Sequence, residues 1–106
     1  MRILFDQGTP VPLRRALKSH VVSTAYELGW SALANGDLLR AAEAQFDVLV
    51  TTDKNLAYQQ NLAGRRLAIL VLPFASWPKL RKHQPTIVAA IEAMTPGGYV
   101  ELDLPR

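Results

Sequence analysis

The sequence contains no cysteine, which excludes a disulfide framework and thiolate metal sites and fits a reducing compartment. It also has no apolar run approaching the roughly 20 residues of a membrane-spanning helix. The opening Met1-Arg2-Ile3-Leu4-Phe5-Asp6 meets a charge again after a short apolar run, so no signal peptide is expected there. Histidine is scarce, with only His20 and His83, and no repeats, low-complexity tracts or linker-like stretches interrupt the chain. These scarcities point to a soluble, cytoplasmic protein with no membrane association, in which any metal would be held through oxygen.

What is present suffices for one domain over residues 1–106, because 49% hydrophobic residues can supply a core of that size. The net charge of +3 permits a polyanionic partner without demanding one. The basic residues are grouped: Arg14, Arg15 and Lys18; Arg65 and Arg66; Lys79, Arg81, Lys82 and His83. Such groups are either solvated surface charge or contacts to a nucleic-acid backbone.

Short apolar runs alternate with helical patterns. Residues 2–5, His20–Thr24, Asp47–Thr52 and Leu67–Leu72 read as strands, and Tyr99–Leu102 as a further edge strand. Thr9 is placed as an N-cap with Pro10 at the first helical position, and Leu13, Ala16 and Leu17 share a face of the helix that follows. Asn35-Gly36-Asp37 opens the next helix, with Asn35 as its cap; helices are also expected over Lys54–Leu62 and Thr86–Met94. This alternation predicts a three-layer α/β/α sandwich around a mostly parallel sheet of four to five strands. Right-handed crossovers favour the order 2-1-3-4.

In that order Asp6 and Asp53, each ending a strand, emerge side by side at the edge where α/β proteins place ligands. Asp37 opens a helix directed to the same edge. Each has a structural reading as a cap or turn residue. Together, converging carboxylates repel one another unless a proton or cation lies between them. Carboxylate oxygens without His or Cys suit Mg²⁺ or Mn²⁺, and such an ion would serve hydrolysis of a phosphodiester. Asp47 precedes its strand and belongs to the opposite edge, while Glu43 lies about 9 Å along the helix from Asp37.

Ile3-Leu4-Phe5-Asp6-Gln7, Asn35-Gly36-Asp37-Leu38-Leu39 and Val48-Leu49-Val50-Thr51-Thr52-Asp53-Lys54-Asn55, followed by Leu56-Ala57-Tyr58-Gln59-Gln60-Asn61-Leu62, resemble the PIN-like nuclease family in order and spacing. The similarity is greatest to its compact, stand-alone bacterial members, many of them toxins of toxin–antitoxin pairs. The resemblance implies a Mg²⁺- or Mn²⁺-dependent ribonuclease in which Asp6, Asp37 and Asp53 are both metal ligands and catalytic residues. It implies substrate contacts from Gln7, Lys54, Asn55 and Tyr58, with RNA as substrate and a cognate antitoxin protein as partner. The family often has Glu at the second acidic position and a further acid beyond the third; this chain has Asp37 and Asn55. A non-catalytic PIN-like binding module is therefore a second reading. A receiver-like signalling domain is a third, although Asp6 is followed by Gln7 and no Lys lies beyond Lys82. Trp30 and Trp77 are open to either core packing or an antitoxin or homodimer contact.

Overall fold

The computed structural model describes residues 1–56 and 63–106. Tyr58 and most of the helix expected over Lys54–Leu62 lie outside the described residues. Five strands, β1 (Arg2–Phe5), β2 (Val21–Thr24), β3 (Val48–Thr51), β4 (Ala68–Val71) and β5 (Tyr99–Glu101), form one sheet in the order β2-β1-β3-β4-β5. Every pairing is parallel. Among the described residues three α-helices accompany them, α1 (Asn35–Gln45), α2 (Trp77–Leu80) and α3 (Gln84–Glu92), with 3₁₀ helices over Val11–Leu17 and Arg81–His83.

The central strands are short and almost wholly apolar because both of their faces are covered. Ile3, Phe5, Val48, Val50 and Leu70 point to one side, where Leu13 and Leu17 of the 3₁₀ helix, Leu80 of α2, and Ile87 and Ile91 of α3 meet them. Leu4, Leu49, Ile69 and Val71 point to the other, against Leu38, Leu39 and Ala42 of α1 and the following Phe46. The α/β/α layering follows from that alternation. Ile3, Leu4 and Phe5 each have 0% exposure, so each contributes about 1.5–3 kcal/mol by burial. Trp30 meets Phe46 edge-to-face at 6.2 Å, and Trp77 packs on the first core. Both tryptophans therefore contribute to packing.

Several local expectations change. Pro10, not Thr9, occupies the cap position, and the segment after it winds as a 3₁₀ helix. Thr9 is buried, and its hydroxyl turns to the sheet, donating to the Val50 carbonyl at 2.8 Å. The cap of α1 is Ala34, while the Asn35 side chain faces Asp53. The last helix starts at Gln84, two residues before the expected Thr86, with Pro85 in its first turn where no amide donor is needed. None of these shifts alters the sheet order.

Candidate active site at the carboxyl edge of the sheet

The direction of chain crossover reverses between β1 and β3, which are adjacent in the sheet. Residues leaving those two strands diverge around a crevice, the usual position for a ligand in an open α/β sheet. Asp6 follows β1 directly, and its amide extends the ladder by donating to the Val50 carbonyl at 3.1 Å. Asp53 leaves β3 two residues after Thr51. The topology thus brings Asp6 and Asp53 to one place.

Each carboxylate is held by its own loop. Asp6 Oδ1 accepts from the Gly8 amide and the Thr9 hydroxyl, both at 3.1 Å. The single Thr9 hydroxyl proton is shared between that oxygen and the Val50 carbonyl. Gly8 leaves room for Thr52: a Cβ there would lie 2.6 Å from Thr52 Oγ1, which would have to shift. Asp53 Oδ1 accepts from the Asn55 amide at 2.9 Å, and Oδ2 accepts from Asn35 Nδ2 at 3.0 Å. Thr51 joins the two. Its hydroxyl donates to Asp6 Oδ2 and accepts from the Asp53 amide.

Burial raises the Asp6 carboxyl above the ordinary aspartate range. Hydrogen bonds from Thr51, Thr9 and Gly8 pull it back, and the charge of Asp53 pushes it up again. The balance is upward, which makes Asp6 a stronger proton acceptor than a solvent-exposed aspartate. Asp6 and Asp53 also repel each other, and their oxygens are of the hard type that Mg²⁺ and Mn²⁺ select.

Asp37 stands apart from this pair. It occupies the first turn of α1, where the helix dipole favours a negative charge. Its carboxylate is engaged by Arg40 of the next turn, and both side chains are exposed. Among the described residues no group of three or more His, Cys, Asp or Glu side chains is gathered closely enough to hold an ion. Asp6 and Asp53 meet, therefore, while Asp37 does not join them.

No family model matches the chain, and neither a curated protein nor a solved structure does. The geometry therefore carries the functional argument.

Asp6 and Gln7 line two clefts. One of about 360 Å³ opens toward the 3₁₀ helix and the loop after β2, bordered by Val11, Arg14 and Tyr26. The other, about 110 Å³, opens toward α1 and is lined by Trp30, Ser31 and Asn35. Ser31 Oγ is buried and has no hydrogen-bond partner among the described residues. Lys54 and Asn55 follow Asp53 and are exposed. The histidines are engaged elsewhere: His20 lies 2.8 Å from Glu92, and His83 is 2.7 Å from the Pro105 carbonyl.

Asp47 lies at the opposite edge, as its place before β3 implies. It accepts from the Arg2 amide and binds Arg66, and among the causes that lower its carboxyl the Arg2 amide bond comes first. Three contributors to the site were not apparent from sequence: Thr51, Thr9, and Asn35 as the partner of Asp53. Thr51 carried a usable signal. A hydroxyl residue closing an otherwise apolar strand, two positions before a candidate aspartate, lies beside whatever follows the neighbouring strand.

Proposed function

We propose that this chain is a cytoplasmic Mg²⁺- or Mn²⁺-dependent ribonuclease of the PIN-like type, acting as the toxin of a toxin–antitoxin pair. The observation that supports it best is the meeting of Asp6 and Asp53 at the point where the crossovers reverse. Two carboxylates are a sufficient protein contribution for a magnesium site, since such ions are commonly completed by water and substrate phosphate. The donor set also fits chemically, being all oxygen and mutually repulsive. Bound there, the ion would supply Lewis-acid polarisation of a phosphoryl oxygen.

The chain's own residues do the rest. Asp6 is locked in one orientation by Thr51, Thr9 and Gly8, as required of a group that aligns a water for in-line attack. As the water's oxygen bonds to phosphorus, the bond to the departing ribose oxygen breaks, and the proton released by the water reaches that oxygen through solvent. Asp53, oriented by Asn35 and the Asn55 amide, holds the opposite side of the crevice. Gln7 and Lys54, both exposed, would contact the phosphate backbone. Asp37 acts from the first turn of α1 only if it leaves Arg40.

Cleavage of mixed single-stranded RNAs with Mn²⁺ tests the reading. Asp6→Ala and Asp53→Ala should each lower the rate by about 100-fold or more, the scale of a lost charge-stabilising group. Unchanged cleavage in both variants would sink the mechanism. Growth arrest on expression, relieved by Asp6→Ala, tests the toxin role. The alternative, a non-catalytic binding module, is favoured by the Asp37–Arg40 pairing; it requires that wild-type protein show no metal-dependent cleavage.

A further inference from the structure

The larger cleft beside Asp6 has features that phosphodiester hydrolysis alone does not use. It measures about 360 Å³ and shares Asp6 and Gln7 with the candidate active site. Its rim is apolar and open: Val11 is 54% exposed and Tyr26 79% exposed. A concave apolar wall with a few fixed polar groups is the usual form of a site for a small ring system.

The loop carrying Tyr26 is pinned on both sides. The Thr24 amide donates to Glu27 Oε1 at 2.9 Å, and the Glu27 amide donates to Thr24 Oγ1 at 3.1 Å. Arg14 grips the same carboxylate through two nitrogens, at 2.6 and 3.1 Å. Tyr26 thus projects from a braced turn, so little ordering remains when a ligand stacks on its ring. The grip also neutralises the only acid of that loop. Val11 and Arg14 of the 3₁₀ helix form the other wall.

We infer that the cleft is a nucleobase subsite, in which one base of single-stranded RNA stacks on Tyr26 while the adjoining phosphodiester lies at Asp6 and Asp53. The identity of the ligand rests on the ribonuclease reading. The cleft's continuity with Asp6 favours a base over a protein side chain, because a base enters attached to the phosphate that the aspartates would cleave. Aromatic stacking accepts every base, so the subsite selects unpaired strands and not a sequence.

The test is fluorescence anisotropy of a labelled single-stranded RNA in EDTA, which separates binding from hydrolysis. Tyr26→Ala should raise Kd about 10-fold, within the range for one base–aromatic stack. Tyr26→Phe, which keeps the ring, should stay within about twofold of wild type on the same basis. Because Tyr26 is so exposed, both variants should melt like wild type, and circular dichroism checks this. Equal affinity of Tyr26→Ala and wild type, or equal weakening by Phe and Ala, would overturn the subsite. Ring-dependent binding without Asp53-dependent cleavage would support the subsite and overturn the nuclease reading. Asp53-dependent cleavage without ring-dependent binding would do the reverse.

Discussion

Replacing Thr51 by Val keeps the shape of a side chain only 1% exposed and removes the hydroxyl linking Asp6 to Asp53. A hydrogen bond to a charged group contributes about 1.5–3 kcal/mol. The Asp53 amide also loses its acceptor, but at a part-exposed position water replaces most of that bond. The expected loss is therefore about 2–3 kcal/mol, or roughly a 10–20 °C drop in Tm for a domain of this size. Thr51→Ser offers the control. It keeps the hydroxyl and removes one buried methyl, costing about 0.8 kcal/mol. Isosteric Val should thus be worse than smaller Ser, the reverse of the order that packing alone would give. Urea and thermal melts at pH 7 measure both. The Val deficit should shrink in acid, because the lost bond favours the ionised form of Asp6 and its protonation removes that preference. A Val variant as stable as the Ser variant at pH 7 would refute the linking role.

At the opposite edge, Glu43 accepts from the Arg66 and Leu67 amides, and Asp47 binds Arg66. Burial acts upward on Glu43, but those amide bonds and the arginine charges together bring its carboxyl below the ordinary value of 4.5. Asp47 is likewise lowered from 3.8, chiefly by the Arg2 amide. Acids with lowered folded-state values stabilise above their unfolded values, and that stability is lost as pH falls through the folded ones. Glu43→Gln and Asp47→Asn should accordingly flatten the fall in stability below about pH 4.5, as read by urea midpoints at pH 7 and pH 3. Gly8→Ala would bring a methyl to within 2.6 Å of Thr52 Oγ1 unless that side chain shifts; it should cost no more than about 1 kcal/mol and, on the proposed ribonuclease reading, reduce RNA cleavage measured on the same preparation. Asp37→Asn should cost no more than about 1 kcal/mol, since it removes an exposed i,i+3 pair and a favourable charge in the first turn of α1. On the proposed ribonuclease reading, its effect on Mn²⁺-dependent cleavage then reports whether Asp37 reaches the reaction.

The sheet was legible because its central strands are buried on two faces. A run such as Val48-Leu49-Val50 has few other uses in a chain that alternates with helices. The handed crossover rule then fixed the neighbours of β1, and with them the adjacency of Asp6 and Asp53. The side-chain partnerships were not legible. Thr9 before Pro10 has the local pattern of a cap, but the Val50 carbonyl, 41 residues away in sequence, competes for its hydroxyl. Asn35 likewise reads as a cap until Asp53 is beside it. Asp37 shows the complementary problem. Its spacing places it near the edge, but Arg40 one turn later offers a closer partner than either of the other two carboxylates. Local sequence indicates which groups can bond; the pairing of distant strands decides which do.

Pairing across such distances has a consequence for the order of events in folding. Because every strand pair is parallel, no hairpin can form the sheet locally, and β1 must wait for β3 across 45 residues before Phe5 meets Val50. Loops of that length close slowly relative to helical turns. Asp6 and Asp53 come together only at this step, so a chain that has not yet committed its central pair has two isolated aspartates and no site. The juxtaposition of the two carboxylates is thereby withheld from nascent and misfolded copies and arises together with the most buried part of the core.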